Sequence, residues 1–233
     1  MRSADPRDSL RPMSPEQVAN GLRALARLHS AYWNLDTRTH PKLGWMQTWK
    51  GGPGWEVGLR RRAPVGLERG GDTLPPEVRK LSGDQVVDHW ARYMRALSRG
   101  PLTMTHGDAH IGNTYVLPSN DVGFLDWQVV RRGAWHHDVG CFLQGALAIE
   151  DRRAHEAELM EIYREALSVP DRPSKEQIWL GYRASAAHGL TVWLSTLGVD
   201  GYQPRDISLA LAQRFASAFA ELDTLSALRT MGV

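Results

Sequence analysis

The chain has 233 residues, enough for one large hydrophobic core or two small ones. Its hydrophobic fraction of 42%, charged fraction of 23% and net charge of +2 are close to the globular average. The single cysteine, Cys141, excludes an internal disulfide and a cysteine-based zinc site. No apolar run approaches the roughly eighteen residues of a membrane span, and the N-terminus lacks the apolar core of a signal peptide. We therefore expect a cytoplasmic protein with no membrane association.

One dense basic run, Arg60–Arg62, occurs in the sequence. No basic stripe interleaved with aromatic residues accompanies it, so it predicts a solvated surface and no nucleic-acid partner.

The first helix is predicted to follow a polar, proline-containing segment, residues 1–13, which has no strand pattern and looks like a linker. Ser14 can cap the helix, Pro15 suits its first position, and Gln17 completes a capping box. One buried face is predicted from residues that recur at alternating steps of four and three: Val18, Leu22, Leu25, His29 and Tyr32. On this face we expect His29 to be a packed histidine that donates to a backbone carbonyl.

Residues 34–83 are rich in glycine, proline and tryptophan, and their periodicity is too weak to predict a regular element. The run Gly51–Gly54 is interpreted as a plain loop, because no Gly-Lys-Ser/Thr follows it as a phosphate-binding loop requires. Trp45, Trp49 and Trp55 lie within eleven residues. They either pack in the core or form the wall of a substrate pocket.

The next helix is predicted from Val87 to Leu97, with Gly100 and Pro101 in the usual stop position. Short apolar runs at 115–117 and 122–125 flank a turn-rich tetrapeptide and predict a hairpin. Helical stripes follow at 159–166, after a capping box at Ser174–Gln177, and at 211–225. The fold class predicted is mainly α with short β-hairpins.

The strongest functional pattern is Asp108, then four residues, then Asn113, then Asp126 thirteen residues later at the end of the predicted hairpin. Kinase-type phosphotransferases arrange a base and two magnesium ligands in this order. Asp108 is the candidate catalytic base, which accepts the proton of the attacking hydroxyl. Asn113 and Asp126 supply the oxygen ligands that magnesium prefers, so they are the candidate Mg²⁺ ligands.

The motif Thr105–Asn113 reads His-Gly-Asp where protein kinases have His-Arg-Asp, and it resembles the aminoglycoside phosphotransferase and choline kinase-like superfamily. The landmarks Asp126–Gln128, Gly133 and Asp138–Gly140 match that superfamily in order. Upstream, Leu25–Trp33 is similar to its Leu-Ala-x-Leu-His-Ala helix. The form of these motifs is closest to the ecdysteroid-kinase-like, choline-kinase-like branch.

This resemblance implies a protein-kinase-like C-terminal lobe at residues 14–228, with residues 1–13 as the linker from an absent N-terminal nucleotide lobe. It implies Mg²⁺ as cofactor and ATP or GTP as the phosphoryl donor. It also implies that His106 and Asp138 have structural roles, since they hold the catalytic loop in shape. Partners would be the nucleotide, a small-molecule alcohol, and an N-terminal lobe in trans or a second copy.

Candidate acceptor contacts are His110, Trp127, Gln128 and residues 178–202, because the family places the acceptor between the catalytic loop and the C-terminal helices. A polycationic acceptor would need a strongly acidic surface. The acidic residues of 150–161 are interleaved with arginine and histidine, so a less charged, partly apolar alcohol is at least as well favoured.

Two alternatives stay open at this point. A metal-dependent hydrolase is possible in principle, because the sequence holds several candidate ligands: His106, Asp108, His110, Asp126, His136 and His137. The pair His136–His137 is otherwise expected to be solvated loop. A non-catalytic or vestigial binding lobe is the second alternative, because the sequence shows no phosphate-gripping lysine motif.

Overall fold

In the computed structural model, residues 5–49 and 53–233 are described. The predicted fold class is confirmed, because helices dominate and the strands are short. The helices are α1 Pro15–Ala31, α2 Pro53–Gly70, α3 Pro76–Arg79, α4 Gly83–Ala96, α5 His136–Ala146, α6 Ile149–Ala166, α7 Lys175–Leu197, α8 Arg205–Glu221 and α9 Thr224–Thr230. The strands are β1 Asp5–Pro6, β2 Leu102–Thr105, β3 Thr114–Val116, β4 Val122–Phe124 and β5 Arg131–Ala134. Among the described helices, none is long and apolar enough to cross a membrane.

Helix α7 lies at the centre of the helical core and packs against α2, α4, α5 and α8. It is buried on nearly all sides, as expected of a helix whose residues are apolar around its whole circumference. Small residues make its close contacts possible. A Cβ at Gly189 would overlap the ring of Phe215 on α8, and one at Gly140 on α5 would overlap Ser185.

The helix starts predicted from serine capping boxes are confirmed. Ser14 accepts from the Gln17 N–H at 3.2 Å and the Gln17 side chain accepts from the Ser14 N–H, so α1 begins where the sequence predicted. The same reciprocal pair, Ser174 and Gln177, opens α7. Such boxes are visible in sequence because both partners lie within four residues.

The stretch 34–83, whose weak periodicity predicted no regular element, contains helix α2, which occupies 18 of its residues. One of its glycines, Gly66, is a packing site. A Cβ at Gly66 would collide with the backbone carbonyl of Leu194, so the glycine lets α2 lie directly on α7. In the basic run Arg60–Arg62, the Arg60 side chain is partly exposed and forms ion pairs with Glu56 within α2 and with Asp88 on α4. The predicted loop at Gly51–Gly54 falls partly outside the described residues, and its last two residues begin α2.

Two small sheets frame the region between α4 and α5. Strands β1, β3 and β4 form an antiparallel sheet, and β2 pairs with β5. The predicted hairpin is confirmed as β3 and β4, with Thr114 opposite Phe124 and a left-handed Asn120 (φ 64°) in the turn.

The segment 5–13 differs from the linker without strand that the sequence predicted. Asp5 pairs with Val116, the Arg7 N–H donates to the Thr114 carbonyl at 3.1 Å, and Met13 is buried. Strand pairing uses backbone groups only, so an edge strand of two residues leaves no side-chain pattern to read. The boundary drawn at residue 13 stays a prediction.

The packing of α7 on α8 generates a stability prediction. Gly→Ala inside a helix normally stabilises by roughly 0.5–1 kcal/mol. Gly189→Ala should instead lower the free energy of unfolding by about 1–3 kcal/mol, because the new methyl overlaps Phe215. Gly58→Ala in α2 is the control, since its new methyl meets only the flexible Arg62 side chain. Urea denaturation measures both, and equal effects of the two substitutions would contradict the packing described.

Candidate active site

The loop that follows β2 carries the candidate base and is anchored from below by Asp138, in the first turn of α5. The Asp138 side chain is fully buried. Its Oδ2 accepts from the His106 N–H at 2.7 Å and its Oδ1 accepts from the Gly107 N–H at 2.9 Å. Backbone donors of the loop therefore converge on one carboxylate, which fixes the path of the chain directly before Asp108.

A third hydrogen bond to Asp138 comes from His29 of α1, whose Nε2 lies 3.1 Å from Oδ2. A carboxylate only accepts, so His29 donates through Nε2, while its Nδ1 lies 2.7 Å from the Tyr163 hydroxyl. Burial alone would raise the pKa of Asp138, but the hydrogen bond and charge interaction with His29 outweigh burial and lower that pKa. The expectation that His29 donates to a backbone carbonyl was therefore wrong.

His106 ties the loop to the end of β4. Its Nε2 donates to the Leu125 carbonyl at 2.7 Å, and its Nδ1 accepts from the Asp108 N–H at 3.2 Å. The ring lies against Trp127, with centroids 4.5 Å apart. Both ring nitrogens of His106 therefore form hydrogen bonds with backbone groups, one at Asp108 and the other at Leu125.

Asn113 orients Asp108 from the other end of the loop. Its Nδ2 donates to the Asp108 backbone carbonyl at 2.9 Å and to the carboxylate Oδ2 at 3.1 Å. Within the described part of the chain, no donor reaches Asn113 Oδ1, which leaves that oxygen for a cation. The Asp108 carboxylate is 42% exposed, so it is both held and accessible.

Asp126 lies beside Asn113 because of the hairpin. The Leu125 N–H donates to the Asn113 carbonyl at 2.8 Å, which places Asp126 one residue beyond this backbone contact. Asp126 adopts a left-handed conformation (φ 58°, ψ 68°), which aspartate tolerates better than most residues. Its carboxylate is exposed and accepts from Gln128 at 3.2 Å. Amide and carboxylate oxygens at adjacent strand ends fit the oxygen donors that Mg²⁺ prefers.

His110 lies on the far side of Asp108. Its Nδ1 accepts from the Gly112 N–H at 3.1 Å, so the proton of the neutral ring is on Nε2, which lies 3.8 Å from Asp108 Oδ2. Burial lowers the pKa of His110, although the charges of Asp108 and Asp126 oppose that shift. The edge of the ring packs on Trp193 of α7, with centroids 5.3 Å apart.

Trp127 and Gln128, the other predicted acceptor contacts, are exposed next to Asp126. The Trp127 indole N–H donates to the Phe124 carbonyl at 3.1 Å, so its ring is fixed over the loop. These two side chains and Trp193 therefore border the candidate site from the hairpin side and from α7.

The expectation that His136 and His137 are solvated was wrong, because both are buried in the first turn of α5. His136 Nδ1 lies 2.9 Å from the Tyr93 hydroxyl, and His137 Nε2 lies 3.1 Å from the Gly107 carbonyl. Burial lowers the pKa of His136 to about 3 and also lowers that of His137. Two adjacent histidines are typical of a solvated segment in sequence. Their place in the core depends on residues distant in sequence, such as Tyr93.

These contacts do not favour the metal-dependent hydrolase alternative. In the ranges 5–49 and 53–233, no group of three or more His, Cys, Asp or Glu side chains is placed to hold a metal ion. The histidines that the alternative needs are instead bonded to loop backbone or to Tyr93.

The three clustered tryptophans do not form one wall. Trp49 is buried and donates to Thr105 Oγ1 at 3.2 Å, while Trp45 is 62% exposed. Trp55 stacks on Trp49 at 6.2 Å and contacts Trp90 edge-on at 5.5 Å. Of the two roles that the sequence left open, Trp49 has the core role, and its bond to Thr105 supports the loop that carries Asp108. Its neighbour Trp55 belongs to the same aromatic packing.

The sequence model of the phosphotransferase enzyme family matches residues 1–178. The chain belongs to this family. The resemblance inferred from the His-Gly-Asp motif is therefore confirmed. No curated protein matches the chain in sequence.

One solved structure agrees at the level of the fold, and others are similar. An ethanolamine kinase from Plasmodium vivax is similar, with 13% identity, a TM-score of 0.53, and coverage of 93% of this chain and 64% of that one. This chain thus spans slightly less than two thirds of that kinase. A choline/ethanolamine kinase family protein from Mesorhizobium loti has 17% identity and a TM-score of 0.46, covering 94% of this chain and 73% of its own. An aminoglycoside-3'-phosphotransferase of type VIII has 22% identity and a TM-score of 0.38, covering 94% and 67%.

The buried histidines beneath the loop predict a loss of stability in acid. The pKa of His136 falls from its ordinary 6.5 to about 3 on folding, so its contribution to stability is complete above pH 6.5. Below pH 6.5 His136 becomes protonated in the unfolded chain but stays neutral in the folded chain until the pH approaches about 3. The free energy of unfolding should therefore fall by about 1.4 kcal/mol per pH unit for this group.

Urea denaturation of the wild type and His136→Phe at pH 7.5 and pH 5 measures this contribution. Between the two pH values the variant should lose about 2 kcal/mol less than the wild type. Because each protein is compared with itself at the two pH values, any pH-independent effect of the substitution on the free energy of unfolding cancels. Equal losses in the two proteins would mean that His136 titrates in the folded state.

Proposed function

We propose that this chain carries the chemistry of a phosphotransferase, which moves a phosphoryl group from ATP or GTP to a hydroxyl of a small molecule. The observation that carries the proposal is the Asp108 carboxylate. It is accessible, it is oriented by Asn113 Nδ2 at 3.1 Å, and its residue comes directly after Gly107, whose N–H Asp138 holds. Phosphoryl transfer asks a protein mainly for positioning and charge neutralisation, and this loop provides positioning.

In the proposed reaction Asp108 accepts the proton of the acceptor hydroxyl as its oxygen attacks the terminal phosphorus. Asn113 Oδ1 and the Asp126 carboxylate would hold Mg²⁺, which when bound would neutralise charge on the nucleotide phosphates. Asn113 has two roles, because its Nδ2 orients the base while its Oδ1 faces the cation site. The neutral His110 ring keeps its Nε2 proton toward Asp108, on the acceptor side of the loop.

The acceptor proposed is a neutral, partly apolar alcohol. Two acidic residues of α6, Glu156 and Glu161, are occupied by internal ion pairs. Glu156 bonds Arg152 at 2.6 Å, and Glu161 bonds Arg164 at 2.7 Å and Lys175 at 3.2 Å. These pairs reduce the negative charge that α6 could offer to a polycation. Trp127 instead borders the loop with exposed aromatic surface, while the buried Trp193 packs against His110.

The role of Asp108 predicts the effect of Asp108→Asn. The variant should fold normally and lose at least about a thousandfold in kcat, roughly 4 kcal/mol of transition-state stabilisation, because the amide cannot accept the hydroxyl proton. The readout is a phosphoryl-transfer assay over a panel of alcohols, with a kinase-like N-terminal lobe added in trans if the chain needs one.

Asp121→Asn is the matched control, because this exposed aspartate lies in the turn of the same hairpin and its carboxylate, among the described residues, bonds the Ser119 hydroxyl alone. It should keep wild-type turnover. The assignment of Asp108 as base is wrong if Asp108→Asn retains more than about a tenth of the rate.

A second prediction concerns nucleotide affinity. Kinase-type proteins grip the phosphates with a glycine-rich loop and a strand lysine, and the sequence offered neither pattern. We therefore expect this chain alone to bind magnesium-nucleotide weakly and to turn over negligibly. Leu125 and Trp127, 44% and 42% exposed beside Asp126, would be covered by a partner lobe or a second copy.

Calorimetry with magnesium and ATP or GTP, followed by the transfer assay, tests this prediction. Micromolar affinity with measurable transfer by the chain alone would contradict it. Activity that arises only when an N-terminal lobe is added would support it, and inactivity in both conditions would favour the non-catalytic binding lobe.

A further inference from the structure

Two consecutive residues of α5 hold the two peptide groups that flank Gly107. Asp138 Oδ1 accepts from the Gly107 N–H at 2.9 Å, and His137 Nε2 lies 3.1 Å from the Gly107 carbonyl oxygen. The second of these peptide groups joins Gly107 to Asp108. Its orientation therefore sets the direction in which the Asp108 side chain leaves the loop.

Gly107 needs this support because of its backbone conformation. Its φ is +89°, in the region that favours glycine, and a Cβ there would collide with the Val129 carbonyl oxygen. Glycine reaches this conformation easily and leaves it as easily, so the residue does not hold the loop by itself. Hydrogen bonds on both sides of Gly107 remove that freedom.

The bond from His137 requires one form of the ring. A carbonyl oxygen only accepts, so Nε2 must carry the proton and Nδ1 must be bare. Within the described residues, His137 Nδ1 is buried without a hydrogen-bond partner. The rings around it are Trp49 at 4.6 Å, His188 at 4.4 Å and Tyr93 at 6.3 Å.

This aromatic enclosure keeps the ring neutral and in place. Burial lowers the pKa of His137, and burial likewise lowers that of His188 well below its ordinary value. A proton on His137 Nδ1 would place a donor among rings that offer it no acceptor. Trp49, which covers the His137 ring, is itself bonded to Thr105 at the start of the loop.

We propose that His137 is a positioning residue, which directs the Asp108 carboxylate by donating from Nε2 to the Gly107 carbonyl. Its consequence for turnover rests on the proposed phosphotransferase function, whereas its consequence for loop order does not. His137 touches neither substrate nor metal in this account. It acts through one peptide group, and its loss should lower kcat with little effect on the acceptor KM.

The test compares three substitutions of His137. In His137→Gln the side-chain amide nitrogen lies at nearly the same distance from the backbone as Nε2, so it can still donate to Gly107. His137→Asn places its amide near the Nδ1 position and cannot reach, and His137→Phe keeps the packing without a donor. His136→Phe is the control, because it removes an equally buried neighbouring imidazole that bonds Tyr93 and not the loop.

The first readout is NMR and needs no activity. Nitrogen shifts of the wild-type His137 ring should report the Nε2-protonated tautomer. Hydrogen exchange of the Gly107 and Asp108 amides should quicken at least about tenfold in His137→Phe and His137→Asn, because the loop loses one of its fixed peptide groups. It should stay near the wild-type rate in His137→Gln and His136→Phe. An Nδ1-protonated ring, or equal exchange in all four variants, would overturn the proposal.

The second readout is turnover, measured under whichever condition supports transfer by the wild type. His137→Phe and His137→Asn should lose about 10- to 100-fold in kcat with KM changed less than about threefold, since a small misplacement of the base has this effect. His137→Gln should recover most of the loss. Wild-type kcat in His137→Phe, or a His137→Gln no better than His137→Asn, would overturn the proposal. If the wild type transfers no phosphoryl group, the proposed function fails, and the exchange rates still decide the loop role of His137.

Discussion

The rest of the site depends on one buried carboxylate. Asp138 has no access to solvent and accepts from two successive loop N–H groups and from His29. A buried charge is tolerated only when it is paired and hydrogen-bonded, so these three donors are a condition for the fold as well as for the loop. Removing one of them would leave the carboxylate short of a partner, with a cost of about 1–3 kcal/mol or more.

Asp138 fixes the loop to the helical core. Helix α1 supplies His29, α6 supplies Tyr163 to bond His29, and α5 supplies both Asp138 and His137. The loop is in this way built on three packed helices, while its exposed edge, with Asp108, Asn113 and Asp126, faces outward. Rigid support beneath a few accessible oxygen atoms is the arrangement expected of a site that acts mainly by positioning its reactants.

The parts that sequence predicted are those whose signal is local. The Ser14 capping box, the hairpin of β3 and β4, and the spacing of the Asp-Asn-Asp motif each lie within a short stretch of chain. Local patterns of this kind need no knowledge of the neighbours in space.

The parts that sequence missed depend on those neighbours. Helix α2 reads as loop because glycines such as Gly66 serve contact with α7. The pair His136–His137 reads as solvated because nothing in the sequence reveals that Tyr93 and the Gly107 carbonyl face it. Strand β1 leaves no pattern because it pairs through its backbone alone. In each case the missing information was the identity of a residue distant in sequence.

The claim at the centre of this account is that Asn113 and Asp126 share one divalent cation beside Asp108. Titration of the labelled protein with Mn²⁺ tests it directly, because the ion broadens nearby NMR signals even at low occupancy. The account predicts that the Asn113 side-chain amide and the Asp126 backbone amide broaden first, and that Asp126→Ala abolishes both effects. Broadening centred on the acidic residues of α6, with Asn113 and Asp126 unaffected, would contradict it.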